Sequence, residues 1–236
     1  MDLSLFSIEQ INKSSNNSQI RLFIGKTCII STVQGAQSTN SQKACEQGIV
    51  EVSIKMEFRG DQKKQRYMES ILSESLESNI KLEEYPSKQI KIILQVICNE
   101  GNVNDISTLY KFIRIININN LLYKKKLFSA LYNAAIVSLL HNGCKMRTTT
   151  FAYEFIPLSQ NTVKLFPTKK EHSLDDDFDQ ACVVLDLNTQ GIVTLVNQKG
   201  YKFNQIQDGI KLIISSIQNT KDLLKSYLYQ QYTKNL

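Results

Sequence analysis

Residues 90–143 constrain the fold of this 236-residue chain more than any other stretch, because a strand-like run and a helix-like run are separated by residues of different character. The first run, IKIILQVICNEGN, is apolar at most positions over residues 90–98, which is typical of a central strand covered on both faces. The second, LFSALYNAAIVSLLHNG, is apolar and rich in small residues, as in a helix packed closely against a sheet. We interpret the two runs as one strand-turn-helix unit interrupted by residues 103–126.

The interrupting segment, VNDISTLYKFIRIININNLLYKKK, has the composition expected of an AT-rich reading frame. Its first residue, Val103, is encoded by GTN, and its last, Lys126, can be encoded by AAG, so these 24 codons keep the frame and have the GT and AG ends of an intron. One hypothesis is a retained intron in a predicted gene, and the other is a genuine lineage-specific loop. Sequencing the cDNA across residues 102–127 distinguishes them.

The composition favours a soluble intracellular protein. No apolar run reaches the roughly 18–20 residues of a membrane helix, and MDLSLFSIEQ lacks the basic and apolar regions of a signal peptide. The five cysteines are scattered without a C-x-x-C pair, and His141 and His172 are isolated, so we expect no disulfide framework, no metal site and no cofactor. The net charge of +6 permits an anionic partner such as RNA without requiring one.

Hydrophobic periodicity predicts the remaining elements. Apolar runs on either side of Gly25 and Lys26 indicate a β-hairpin, and the polar residues 34–47 indicate a loop after it. Alternation over residues 50–56 predicts a strand with one buried face, and residues 61–82 have the spacing of an amphipathic helix.

The second half of the chain has the same order of elements, strands and then a helix laid over them. Strands are predicted over residues 148–156, 162–165, 181–187 and 192–196, and a long closing helix is predicted around Ile206 to Leu224. The fold class is therefore α+β, with mixed sheets and helices packed on them.

The order of these segments resembles that of the RNase PH-like subunits of the eukaryotic RNA exosome. The resemblance is carried by IRLFIGKTCIISTVQG, GIVEVSIKM, KKQRYMESILSESLESNI, ILQVICNEGN, SALYNAAIVSLLHNGCKM, KLFPTKKE and ACVVLDL, which cover almost the whole chain apart from the insert. Within this set the chain is most similar to the non-catalytic exosome component five type, whose L-x-L-D-P-T-x-x-x-E-like segment corresponds to residues 163–171. The resemblance implies an RNase PH-like fold with an N-terminal half over residues 1–147 and a C-terminal half over residues 148–236.

The same resemblance indicates how the chain differs from active members of the family. Phosphorolysis requires a site that holds two anions together and handles the proton of the leaving group. Active members use an Arg just after the Gly-containing turn to bind phosphate, together with a D-x-D-Y-x-x-D-like acidic cluster. The resemblance places Leu127 at the Arg position, and Lys164 and Lys170 at the two outer acidic positions. Leucine cannot bind phosphate and lysine cannot replace a carboxylate ligand, so the resemblance implies a protein that is not an enzyme.

One acidic segment leaves an alternative open. Asp175, Asp176 and Asp177 make the later loop longer than the family pattern. We interpret them as a solvated loop, and the alternative is that they reach back to the site or bind a metal.

The resemblance thus implies a structural subunit of the exosome ring that supports 3′-to-5′ RNA processing, including that of rRNA, and RNA degradation. Its expected partners are sister ring subunits, cap subunits, associated 3′ exonucleases and RNA in the channel, in the nucleus, including the nucleolus, and in the cytoplasm. Arg59, Lys63, Lys64 and Arg66 are the candidate RNA-binding residues, with a solvated helix face as the alternative. The alternative function is an active phosphate-dependent 3′ exoribonuclease of the RNase PH type.

Overall fold

A buried helix lies between two β-sheets in the computed structural model, which describes residues 6–14, 17–39, 46–56, 62–98, 125–157, 163–166, 181–196 and 203–233. The described elements are β1 (Phe6–Ser14), β2 (Asn17–Ile24), β3 (Thr27–Ser38), β4 (Ile49–Met56), α1 (Gln62–Glu77), a 3₁₀ helix (Leu82–Glu84), β5 (Lys88–Cys98), α2 (Lys125–Asn142), β6 (Thr150–Pro157), β7 (Val163–Leu165), β8 (Ala181–Asp186), β9 (Ile192–Val196) and α3 (Phe203–Thr233).

The strand pairing confirms the α+β class. Sheet 1 has five strands in the order β1-β2-β3-β5-β4, and it is mixed because β4 and β5 pair in parallel. Sheet 2 has four strands in the order β7-β6-β8-β9, and its described pairs are antiparallel. The predicted division between residues 147 and 148 falls between α2 and β6. One buried cluster contains residues from both sides of it, such as Ile20 and Phe151.

β5 occupies the predicted central position, between β3 and β4. The prediction that both of its faces are covered is wrong for one of them. Ile90, Ile92 and Leu94 are buried on one face, whereas on the other face Ile93 is only half-buried and Gln95 is exposed. The reason is that α1 and α2 both pack on the first face, so Ile93 on the other face reflects the strand preference of β-branched residues and not full burial.

The first hairpin is confirmed, and the loop predicted after it is shorter than expected. Ile24 pairs with Thr27 across a two-residue turn in which Gly25 has a φ of +60°, a conformation that glycine adopts readily. β3 then continues to Ser38, so the predicted loop is wrong for residues 34–38. Its pairing with β5 shifts register after Gln34, and this irregularity hides the strand period in the sequence.

β1 was not predicted, because most of its side chains are exposed and give little apolar alternation. Its buried residue, Phe6, packs edge-on against Phe166, which directly follows β7, with ring centroids 4.9 Å apart. This aromatic contact joins the first strand of sheet 1 to sheet 2.

α1 ends earlier than the sequence pattern indicates. The predicted helix extends to residue 82, whereas α1 ends at Glu77 and the 3₁₀ helix follows. Ile80 forms a β-bridge with Met146, and Lys81 donates its backbone N–H to the Lys145 carbonyl at 3.0 Å. These tertiary bonds require an extended backbone and replace the last helical turn.

α2 is the central helix, and every residue from Leu127 to Leu139 is buried. Such all-round burial explains why its sequence has no polar face. The helix begins at Lys125, so its first turn includes Lys125 and Lys126, the last two residues of the predicted insert. Residues 103–124 of the insert lie outside the described residues.

The second half follows the predicted order. β6 pairs with β7 and with β8, and β8 pairs with β9, as two antiparallel hairpins require. α3 lies close to β6 at Gly209, where an added Cβ would be 2.6 Å from the Phe155 ring. None of the helices in the described ranges is long and apolar enough to cross a membrane.

Candidate functional site

Two hydrogen-bonded contacts fix the direction in which α2 lies along β6. Ser129 donates its hydroxyl to the Glu154 carboxylate at 2.6 Å. One turn later, the Asn133 side chain donates to the Ala152 carbonyl at 2.9 Å and accepts from the Ala152 N–H at 2.7 Å. The contacts advance along α2 from Ser129 to Asn133 while they go back along β6 from Glu154 to Ala152. The N-terminal end of α2 therefore lies at the C-terminal end of β6.

A third contact locks α2 against the segment that follows α1. The Tyr132 hydroxyl accepts a hydrogen bond from the Asn79 side chain at 2.7 Å and shares a second one of 2.7 Å with Thr150 on β6. Burial raises the pKa of Tyr132, so its hydroxyl stays protonated at neutral pH. The position of α2 is thus set by a closed polar network as well as by apolar packing.

β7 brings Lys164 to the same end of sheet 2. Ile156 pairs with Lys164, and opposite residues in an antiparallel pair point to the same face. Glu154 and Ile156 also share a face, because side chains alternate with a period of two. Lys164 therefore lies on the face of sheet 2 that carries Glu154, close to the N-terminal end of α2.

Leu127 lies in the first turn of α2, two residues before Ser129, and is 1% exposed. The structure therefore brings together two of the three positions at which the family resemblance places phosphate-binding or acidic residues, Leu127 and Lys164. The third, Lys170, lies outside the described residues, as do Asp175, Asp176 and Asp177. We call the group formed by Leu127, Ser129, Glu154 and Lys164 the Leu127 site.

The Leu127 site contains a carboxylate that the sequence patterns missed. Glu154 is 1% exposed and accepts the hydroxyl of Ser129. It lies inside the strand sequence TFAYEFIP, and a single polar residue within an apolar strand is the signal that could have identified it. Within the described residues, no group of three or more His, Cys, Asp or Glu side chains could hold a metal ion.

The chemistry available at the Leu127 site is limited. A buried leucine offers no donor to an anion, and the cationic Lys164 cannot supply the carboxylate oxygens that a divalent cation prefers. Glu154 is the buried carboxylate of the site, and its bond to Ser129 anchors α2 to β6.

The candidate RNA-binding residues lie in and before the first turns of α1. Lys63 and Arg66 are exposed, whereas Arg59 and the side chain of Lys64 lie outside the described parts of the chain. Tyr67, which follows Arg66, is 60% exposed and was not predicted as part of this surface. An exposed aromatic ring beside two cationic side chains can stack on a base while the cations contact phosphate.

The orientation of α1 follows from its other side. Gln65 donates its side-chain amide to the Ile54 carbonyl at 2.6 Å, and Glu69 accepts the Ile54 N–H at 2.8 Å. These bonds hold one stripe of α1 against β4, the last strand of sheet 1. Lys63 and Arg66 therefore lie on an exposed part of a helix that is fixed in position.

Comparisons with known proteins are consistent with this architecture. The sequence model of the 3′ exoribonuclease family, domain 1, matches residues 7–145. No curated protein sequence matches the chain. The crystal structure of rice (Oryza sativa) Rrp46 is similar with a TM-score of 0.74 and 20% identity, over 94% of each chain.

Two archaeal structures are also similar. The Archaeoglobus fulgidus exosome with RNA bound to the active site has a TM-score of 0.62 and 12% identity over 94% of this chain and 87% of that chain. An archaeal exosome core has a TM-score of 0.62 and 11% identity over 93% and 86% of the respective chains. Together these likenesses confirm the predicted RNase PH-like fold.

Proposed function

The chain belongs to the 3′ exoribonuclease family of RNase PH, and we propose that within this family it is a non-catalytic structural subunit of an RNA exosome ring, of the exosome component five type. The observation that carries this proposal is the Leu127 site. Where active members of the family are expected to bind phosphate, this chain has Leu127, which is 1% exposed. Where they have a nearby acidic residue, this chain has Lys164.

Catalysis of phosphorolysis depends on how the site handles the negative charge at the reacting phosphodiester. Phosphorolysis brings an anion to a phosphodiester, so the site must supply fixed positive charge and a group that handles a proton. Loss of one group that stabilises such charge typically lowers a rate by about 10²–10³-fold, and here both kinds of group are replaced. A role in assembly and RNA passage is compatible with these replacements, whereas phosphorolysis is not.

A phosphorolysis assay tests the proposal. We expect the purified chain to release no nucleoside diphosphates from poly(A) or a tRNA-like RNA in phosphate and Mg²⁺, with an active RNase PH as the positive control. Leu127→Arg alone should not create activity, because the acidic groups are still missing. Phosphate-dependent release that disappears when Asp175, Asp176 and Asp177 are replaced by Asn would overturn the proposal and favour the active exoribonuclease.

The proposed partners are sister RNase PH-like ring subunits, cap subunits and associated 3′ exonucleases, in the nucleus, including the nucleolus, and in the cytoplasm. β9 supports a role in assembly. It is the last strand in the order of sheet 2, and it exposes Ile192 (50%), Val193 (38%) and Leu195 (43%). Exposed apolar residues on a terminal strand favour cover by a neighbouring protein.

Affinity purification of the tagged chain followed by mass spectrometry tests ring membership. We expect the other ring subunits and the cap subunits to be recovered, and the isolated chain to self-associate. Ile192→Lys with Leu195→Lys should reduce that recovery, since these residues pair with Leu185 and Val183, which lie on one face of β8. A stable monomer at tens of micromolar that recovers no ring subunit would contradict ring membership.

We also propose that the basic end of α1 contacts RNA in the ring channel. Replacing Lys63 and Arg66 by Ala in the reconstituted ring should weaken RNA binding equally for all sequences, because phosphate contacts carry no base information. The slope of log affinity against log salt should become shallower by roughly 0.7 per lost contact with single-stranded RNA. The control replaces Lys211 and Lys225 of α3 by Ala, which removes the same amount of positive charge at a different place. An unchanged salt slope for the α1 variant would assign these residues to a solvated face, and the same test extends to Arg59 and Lys64.

A further inference from the structure

Two cysteines that are distant in the sequence lie opposite each other in sheet 1. Cys28 on β3 pairs with Cys98 on β5, whereas the next residue, Ile29, pairs with Val96. Ile97 is therefore an extra residue in β5, a β-bulge. Without the bulge, Cys98 would lie on the same face as Val96. The extra residue turns Cys98 to the opposite face, where Cys28 lies.

The two sulfur atoms are close enough to affect each other. Burial raises the pKa of the Cys28 thiol, and the charge of the neighbouring Cys98 raises it further. Opposite residues of antiparallel strands have Cα atoms about 4.5–5.5 Å apart. Disulfides usually join residues whose Cα atoms are about 4.4–6.8 Å apart. A bond between these two sulfurs is therefore compatible with the strand pairing as it stands.

The environments of the two thiols differ in a way that assigns a role to each. Cys98 is exposed and donates its S–H to the Lys26 carbonyl at 3.0 Å, so a small oxidant can reach it. Cys28 is 3% exposed and is shielded from direct attack. An accessible thiol with a second thiol beside it is the arrangement in which an oxidised sulfur is converted to a disulfide.

We propose that Cys28 and Cys98 form a dithiol that hydrogen peroxide oxidises to an intramolecular disulfide, with Cys98 as the attacking residue and Cys28 as the resolving residue. The Cys98 sulfur attacks peroxide, an S–O bond forms as the O–O bond breaks, and the departing hydroxide leaves as water with the thiol proton. The Cys28 sulfur then attacks the sulfenic acid of Cys98, an S–S bond forms as the S–O bond breaks, and a second water leaves. Two thiols lose two electrons in total, and one peroxide is reduced to two waters.

This modification does not depend on the proposed function, because it concerns the strand pairing of sheet 1 and not the Leu127 site. It joins the end of β5 to β3, and β5 is the strand that pairs with both β3 and β4. A reversible bond at this position would fix the bulged end of β5 under oxidising conditions and release it under reducing ones.

Peptide mapping tests the proposal on the full chain. The folded protein is treated with hydrogen peroxide, its remaining thiols are blocked, and it is digested with trypsin without reduction. Cleavage after lysine places Cys28 in residues 27–43 and Cys98 in residues 92–111, each as the single cysteine of its peptide. We expect a linked product of these two peptides and the loss of about two reactive thiols per chain, reversed by dithiothreitol.

Two matched variants separate the roles. In Cys98→Ser, Cys28 should stay reduced at the same peroxide concentration. In Cys28→Ser, Cys98 should accumulate as a sulfenic acid that dimedone traps, and circular dichroism should show both variants to be folded. The proposal is overturned if the folded wild-type chain yields no linked product, or if it links these cysteines no faster than the chain in urea does.

Discussion

Replacing Asn133 by leucine would test how the structure closes one side of β6. Asn133 is fully buried on α2, and its side-chain amide bonds both the N–H and the carbonyl of Ala152, at 2.7 and 2.9 Å. β7 pairs with β6 only over Phe155, Ile156 and Pro157 among the described residues. The amide of Asn133 therefore takes the place that a strand residue would have beside Ala152.

The expected loss of stability follows from this geometry. Leucine is close to asparagine in size and is a better helix former, so the substitution removes the two hydrogen bonds without opening a large cavity. A buried polar group left without a partner costs about 1–3 kcal/mol, and Ala152 would have two such groups. Burial of the more apolar side chain offsets roughly 1–2 kcal/mol of that cost. The midpoints of these ranges give a net loss of about 2.5 kcal/mol, from a total of about 5–15 kcal/mol for a typical domain.

Urea unfolding followed by circular dichroism measures this loss as a shift of the midpoint at constant slope. Asn188→Ala, in the exposed turn between β8 and β9, is the control for loss of an amide and should change the free energy of unfolding by less than about 0.5 kcal/mol. A loss below about 1 kcal/mol for Asn133→Leu would refute the reasoning, because the Ala152 backbone groups would then not depend on Asn133.

Two further predictions concern packing and pH. Gly209→Ala places a Cβ 2.6 Å from the Phe155 ring, so it should lower the melting temperature, since overpacking costs about 1–3 kcal/mol against a helix-propensity gain of about 1 kcal/mol. A higher melting temperature would show that α3 can move away from β6 at little cost. Burial, and then the charge of Lys13, lower the pKa of His141 below its ordinary value of 6.5. The unfolded chain therefore takes up a proton first as the pH falls below about 6.5, and the free energy of unfolding should decrease there. Above that pH the titration of His141 should not change the free energy of unfolding. His141→Gln should make the unfolding midpoint less sensitive to pH below about 6.5. An equal pH dependence in the wild-type chain and the variant would show that His141 does not cause the loss of stability.

The sequence predicted the structure correctly where the conformation of an element depends on its own residues. The small and apolar residues of α2 predicted a buried helix, and Gly25 predicted the first turn correctly. It was insufficient where a distant segment decides the local conformation. Ile80 leaves the helical pattern because it bridges to Met146, and the strand character of residues 34–38 is hidden by a bulge. A bulge also explains why the cysteines appeared unrelated, since pairing Cys98 with Cys28 requires the extra residue in β5.

The candidate site was predictable to a similar extent. Leu127 and Lys164 were singled out because the family resemblance places them at phosphate-binding and acidic positions, and the structure puts Leu127 in the first turn of α2 and Lys164 on β7. Glu154 was missed because no spacing rule connects a residue inside a strand to Ser129. Tyr67 was missed because its exposure depends on which side of α1 pairs with β4.

The side-chain bonds from α1 to β4 also bear on the order of events during synthesis. The backbone of Ile54 is bonded by Gln65 and Glu69, which follow it closely in the chain. At about 5–20 residues per second, a ribosome adds these residues within about three seconds of Ile54. For β6 the order is reversed, because Asn133 is made before Ala152. Asn133 is therefore already made when β6 leaves the ribosome, and Gln65 and Glu69 are made within seconds of β4. These side chains bond the backbone of the two strands and so protect each strand from pairing with another nascent chain.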